Sequence, residues 1–188
     1  MHRETDYRLR PIEKADLALI LSWRNSDRVR LNMYTDHLIT PEEHARWFAA
    51  ALSDDRGRFL VFEDQTHPLG FVSFTGITPA HGRCTWAFYI GEPNAPRGTG
   101  SAMEMFALDY AFGSLKLRKL CCEVLDFNAN VVKLHKHFGF HEEGLLRQHY
   151  LKGERYADVV VMARMADTWP AERAALYPKI FQAYKAGT

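Results

Sequence analysis

Arg97-Gly98-Thr99-Gly100-Ser101-Ala102 opens a long helical pattern directly after a Pro/Asn-rich turn, and chemistry is first legible there. Glycines at such a junction let backbone N–H groups approach a ligand closely, and the helix N-terminus adds its dipole. Together these features suit a phosphate. A P-loop needs Gly-Lys-Ser/Thr at its end, and no lysine follows Gly100. A dinucleotide fingerprint needs a third glycine three residues after the second, where Met103 stands. What remains is a short anion cradle with Arg97 at its lip. A plain turn with a glycine-rich helix cap fits the same residues.

A second segment, from Leu117 to Phe140, runs from a strand through Asp126-Phe127-Asn128 into a helix ending His135-Lys136-His137-Phe138-Gly139-Phe140. In order and spacing, the two segments resemble the GNAT superfamily of acetyl-CoA-dependent N-acetyltransferases. That family's phosphate loop reads Gln/Arg-x-x-Gly-x-Gly/Ala, and its later helix opens on an asparagine and closes on Lys-x-Gly-Phe. The resemblance covers about residues 7–165. It implies an α/β (α+β) fold, a mixed and mostly antiparallel sheet of about seven strands flanked by helices. It implies acetyl-CoA as co-substrate and no metal. Gly98, Thr99, Gly100, Ser101 and Ala102 would cradle the pyrophosphate through their amides, with Arg97 adding charge. The strand ending at Tyr89-Ile90 would splay from its neighbour. Phe88 and Ile90 would hold the pantetheine arm there, and the strand amides would polarise the thioester carbonyl beside Tyr89. Asn128, Val131 and Lys136 would complete the cofactor contacts, although Asn128 also suits an ordinary helix cap.

Two positions depart from the family. Ala95 stands where a glutamine or arginine is usual, leaving Arg97 as the local charge. His135 stands where a tyrosine usually protonates the departing thiolate. Tyrosine titrates near about 10, histidine near about 6.5 and a thiol near about 8.5, so an imidazolium can return the proton to sulfur. A structural histidine under Phe138 is the other reading, and His137 is expected to face solvent or a phosphate.

The acceptor side is expected in Ser22–Ser26, Met33–His37 and Pro41–Trp47. Arg24 shares a helical stripe with Leu17, Ile20 and Leu21, which carries a guanidinium inward. A buried arginine needs an anion, either an internal acid such as Asp16 or a phosphate on the acceptor. This arrangement, with Leu69–Ile77 and Glu123–Asn130, resembles family members that acetylate 4-amino-4,6-dideoxy sugars on nucleoside diphosphates in pseudaminic acid biosynthesis. By that resemblance Arg24, Asn25, His44, Ser73, Thr75 and Tyr89 would face the nucleotide sugar, with Met33, Tyr34 and Trp47 as walls. The free amine would attack the thioester directly, and Glu123 or His44 would take its proton through water. A protein N-terminal or ribosomal-protein acetyltransferase is the alternative enzyme, and a non-catalytic CoA-binding module the alternative class.

These residues need a scaffold, and the chain is long enough for one. Its 188 residues, 47% of them apolar, suit one domain over 1–166 with a helical extension over 167–188 that includes Tyr184. The pattern predicts strands near 7–12, 58–62, 69–76, 83–90, 119–125, 143–151 and 155–166. Helices are predicted near 13–25, 40–52, 98–112 and 128–138, the second capped by Thr40 with Pro41 following. A net charge of +1 argues against a nucleic-acid partner. Cys84, Cys121 and Cys122 have no zinc or disulfide spacing. With no signal-like or membrane-length apolar run, the expected location is cytoplasmic, and a homodimer stays open.

Overall fold

Alternating and continuous apolar runs resolve into seven strands of one sheet, in a computed structural model that describes residues 3–181. The strands are β1 (Tyr7–Pro11), β2 (Arg58–Asp64), β3 (Pro68–Thr78), β4 (Arg83–Ile90), β5 (Lys119–Leu125), β6 (His141–Lys152) and β7 (Arg155–Met165). They lie in the order β1-β2-β3-β4-β5-β7-β6. Neighbours are antiparallel except β4 and β5, which run parallel. The expected mixed, mostly antiparallel sheet is therefore observed.

The helices are α1 (Leu17–Asn25), α2 (Asp27–Arg30), α3 (Pro41–Ser53), α4 (Thr99–Asp109), α5 (Ala129–His137) and α6 (Trp169–Ile180). β2 and β3 read as near-continuous apolar runs because both of their faces are covered. Leu60, Val61, Phe62, Phe71, Val72 and Phe74 are all buried. Thr40 and Glu43 form the reciprocal capping pair that starts α3: the Glu43 N–H donates to Thr40 Oγ1 (3.2 Å) and the Thr40 N–H to Glu43 Oε2 (2.9 Å).

α4 crosses beneath the sheet, with Ala102, Met103, Met105, Ala107 and Leu108 fully buried. A wide turn over Tyr110–Ser114 extends it, and the Leu115 N–H bonds the Tyr110 carbonyl. α6 packs back against this helix. Trp169 Nε1 and Arg173 Nε both donate to Asp109, and Arg173 also reaches Glu4. Tyr184, part of the expected C-terminal helical pattern, lies outside the described residues.

The feature that makes a site is a failure of pairing. β4 and β5 are in register only at Arg83–Lys119, Cys84–Leu120 and Thr85–Cys121. β4 continues to Ile90 and β5 to Leu125 without meeting again. Residues 86–90 therefore keep β3 on one side and face a crevice on the other.

Candidate active site

The crevice between the parted strands encloses about 430 Å³. Its walls are Trp86, Phe88, Tyr89 and Ile90 from β4, Cys122 to Leu125 from β5, and Asn128, Val131, Leu134 and His135 from the start and face of α5. Gly100, at the mouth of α4, closes one end. Gly98 caps α4 in the left-handed region (φ 95°), which glycine adopts without steric cost.

Not every amide of the expected cradle is available. The Thr99 N–H is taken by the Pro96 carbonyl and the Ala102 N–H by that of Gly98, both at 3.1 Å. The first-turn donors that a helix start leaves over are Gly100 and Ser101. A Cβ placed on Gly100 would meet nothing nearer than Leu134 at 3.8 Å, so the approach to these amides is open. Arg97 is exposed at the lip.

Asn128 occupies the cap position of α5, yet its side chain makes no capping bond. The ordinary-cap reading therefore fails, and the amide side chain lines the crevice. Lys136 is exposed and pairs with Glu142 Oε1 at 2.7 Å; it is not among the residues lining the crevice. One helical step moves it off the face that Val131 and His135 share.

His135 is 2% exposed and packs among Phe140, Trp86 and Phe88, with ring centroids 4.8, 5.4 and 5.6 Å away. Its Nδ1 lies 2.8 Å from Glu104 Oε1, a carboxylate with no solvent exposure. Burial pushes the Glu104 carboxyl above the usual carboxylate range, and the adjacent imidazole opposes that shift. Glu104 was missed at the sequence level. Its signal was a carboxylate set between Met103 and Met105 within the apolar run 102–108.

A second cavity of about 430 Å³ opens on the other side of β4. It is lined by Arg24, Met33, Thr35, His37, Glu43, His44, Trp47, Phe71 and Ser73, among others. The two cavities share Met33, Ala87, Phe88 and Tyr89. Arg24 donates through Nη2 to the Thr35 carbonyl (2.6 Å), while its buried Nη1 has no partner among the described residues. Asp16 is not its counter-ion: that carboxylate is held by Arg10 at 2.7 and 2.8 Å. His44 is buried against Trp47 (centroids 5.0 Å), and burial holds its imidazole below the ordinary histidine range. Thr40 caps α3, so His44 does not.

Three expected acceptor residues sit elsewhere. Both ends of the Asn25 side-chain amide bond the backbone of Ile39 at 2.9 Å, pinning the loop after α2. Thr75 shares a strand face with Ser73 but lies beyond the cavity, its hydroxyl turned to the Thr85 carbonyl. Tyr34 belongs to the β4–β5 crevice, where its hydroxyl donates to Glu123 Oε2 at 2.5 Å and its ring stacks on Tyr150. Burial, then Glu123, pushes that phenol up. Arg28, not anticipated, also lines this crevice and donates to the Gly91 carbonyl. Cys122 lines it too, its thiol pushed up by burial. Among the described residues, no cluster of three His, Cys, Asp or Glu side chains could hold a metal, and no helix is long and apolar enough to cross a membrane.

Parallel strands parted over a helix N-terminus, with a second cavity meeting the first across one strand, define an acyl-transfer scaffold of the GNAT type. Residues 7–141 match the family model described as "Acetyltransferase (GNAT) domain", and the chain belongs to that family of acetyl-CoA-dependent N-acetyltransferases. Spermidine N(1)-acetyltransferase of Vibrio cholerae is 28% identical over 152 residues, 80% of this chain and 88% of that protein. The Escherichia coli K12 enzyme of the same name is 24% identical over 165 residues, 88% and 89% of the two chains. The crystal structure of the Vibrio cholerae spermidine N-acetyltransferase in complex with CoA and spermine has a TM-score of 0.83 at 26% identity, covering 88% of this chain and 99% of that one. These relatives are named for a polyamine acceptor, not a nucleotide sugar.

Proposed function

We propose that the protein transfers the acetyl group of acetyl-CoA to the primary amine of a small acceptor that also carries an anion, the class to which nucleotide-linked 4-amino sugars belong. The observation that carries this is the pair of cavities joined at Met33, Ala87, Phe88 and Tyr89, with Arg24 on the acceptor side. Arg24 presents a guanidinium nitrogen that is buried and unpartnered, a position that an acceptor oxyanion satisfies. A polycation there would meet the like charge of the Arg24 guanidinium.

The residues of the β4–β5 crevice fit acetyl-CoA. Gly100 and Ser101 offer amides at a helix start, Asn128 an uncommitted side-chain amide, and β4 an unpaired edge beyond Thr85. Acetyl-CoA supplies an activated acyl group. β4 holds it beside Tyr89, the acceptor cavity orients the amine, and His135 carries a proton for the departing sulfur. Holding both partners in one geometry supplies up to roughly 7–11 kcal/mol of the barrier. No covalent enzyme intermediate is required.

A polyamine acceptor is the second reading, favoured by the names of the relatives. The carboxylates near the site support it poorly. Glu43 is tied to the Thr40 N–H and to His37, and Glu123 to the Tyr34 hydroxyl. Purified protein with acetyl-CoA should release CoA in the presence of a UDP-linked 4-amino-4,6-dideoxy sugar. Transfer to spermidine or to an N-terminal peptide alone would overturn the sugar reading.

Self-association is part of the same reading. β6 is an edge strand whose first nine residues are all exposed, with Leu145 and Leu146 among them, and a second copy would cover it. One structure of the Vibrio cholerae enzyme, TM-score 0.75 at 26% identity, is described as dodecameric. Sedimentation at monomer mass at micromolar concentration would refute this.

A further inference from the structure

A carboxylate with no solvent exposure, flanked on its helix by the fully buried Met103 and Met105, demands a reason. Among the described residues Glu104 has one hydrogen-bond partner, His135 Nδ1, while its second oxygen is buried with none. The ring it touches is itself buried and lines the β4–β5 crevice. With Nδ1 committed to Glu104, Nε2 is the polar atom left for the crevice. We propose that Glu104 and His135 form a single proton-holding unit, in which Glu104 is the positioning residue that keeps a proton on Nε2 for the departing thiolate. This rests on the acetyl-transfer reading above.

Charge accounting leads to that assignment. The unit holds one proton between Glu104 and Nδ1 and another on Nε2, and its net charge is then zero wherever the first proton sits. Zero is the charge that an aromatic cage of Trp86, Phe88 and Phe140 tolerates. Giving up the Nε2 proton leaves a net negative unit in a dry site, so the proton is readily taken back. The other titratable or charged groups facing the pair are Arg164 on β7 with its Glu172 partner on α6, His137 on α5 and Cys122 on β5. Arg164, with Nε and Nη2 buried and unpartnered, favours the carboxylate form without touching the ring.

The step balances. The amine nitrogen bonds to the carbonyl carbon, the carbon–sulfur bond breaks, and the electron pair leaves on sulfur. Nε2 gives its proton to sulfur to make the free thiol. The proton shed by the acylated nitrogen returns to Nε2 through water, and nothing is oxidised or reduced.

Glu104→Gln keeps the shape and removes the charge. The proton-loaded unit then becomes a buried cation, so the alkaline limb of kcat should move to lower pH by about one pH unit or more. At pH 8, kcat should fall by about 10- to 100-fold, with KM for acetyl-CoA changed by less than about twofold. Tyrosine donates through a hydroxyl and needs no partner at Nδ1, so in a His135→Tyr background the same substitution should change kcat by less than about twofold. Nitrogen-15 spectra of the unliganded native protein should show Nε2 protonated at pH 7. A Glu104→Gln enzyme with the native kcat and pH limb, or a native ring with bare Nε2, overturns the proposal. If native protein acetylates no amine at all, it is the function reading that fails, and the nitrogen-15 signal still decides the unit.

Discussion

Replacing Arg24 by methionine separates what this side chain does for the fold from what it does for the acceptor. The charged bond from Nη2 to the Thr35 carbonyl stabilises by about 1.5–3 kcal/mol, and the buried, unpartnered Nη1 costs about 1–3 kcal/mol. These offset, and burial already holds the guanidinium below its ordinary range. For a chain of this size 1 kcal/mol corresponds to roughly 2–4 °C, so Tm should stay within about 4 °C of native. An anionic acceptor loses a charge-assisted contact of about 1.5–3 kcal/mol, which is roughly 10- to 150-fold in kcat/KM. KM for acetyl-CoA should not move, because Arg24 does not line that crevice. Thermal unfolding and CoA-release kinetics with two acceptors read all of this. A variant that keeps native kcat/KM on the UDP-amino sugar, or gains activity on spermidine alone, refutes the anionic-acceptor argument.

Other expectations follow from the same geometry. A Cβ on Gly91 would sit 2.0 Å from Trp23 Cδ2, inside a packed indole, so Gly91→Ala should cost about 1–3 kcal/mol by overpacking and displace α1 from the acceptor cavity. A raised acceptor KM with a lowered Tm would bear this out, and an unchanged Tm would not. The Arg10 guanidinium holds the Asp16 carboxyl below its ordinary range, so this pair contributes stability above about pH 3.9 that is lost as pH falls through the lower folded value. Asp16→Asn should therefore destabilise at pH 7 and flatten the acid limb of a stability–pH curve. The loss should be less than the about 3–5 kcal/mol of a buried pair broken outright, because Arg10 keeps Glu63. Asn128→Ala should raise KM for acetyl-CoA while Lys136→Ala leaves it unchanged, and equal effects would contradict the placement of these two residues.

Most of the scaffold was legible because its signals are local. The Thr40 cap, the glycine-opened α4 and the apolar runs of β2 to β5 each carry their own instructions, and the strand limits at 83–90 and 119–125 coincide with those observed. The acceptor side was less legible because tertiary bonds shape the chain between α2 and α3. Asn25 grips Ile39, Arg30 reaches the Asp36 carbonyl, and Lys152 on β6 holds the Met33 carbonyl and Asp36. Those ties send Tyr34 toward Glu123 and leave Thr35 beside Arg24. Glu104 shows the same limit from inside. Helical periodicity marks it as an anomaly, but only the fold brings residue 135 across to it.

The wall common to both chambers has a bearing on how such a catalyst can diversify. Most of the wall that would grip the acyl donor comes from one stretch, 86–135, with 28–34 adding a side, whereas the opposite chamber draws mainly on 20–47. Drift at Ile20, Arg24, His44 or Trp47, which line the acceptor chamber and not the crevice, can retune which amine is admitted while the later stretch keeps its grip. Met33, Ala87, Phe88 and Tyr89 line both chambers, so a change at any of these four alters both customers at once.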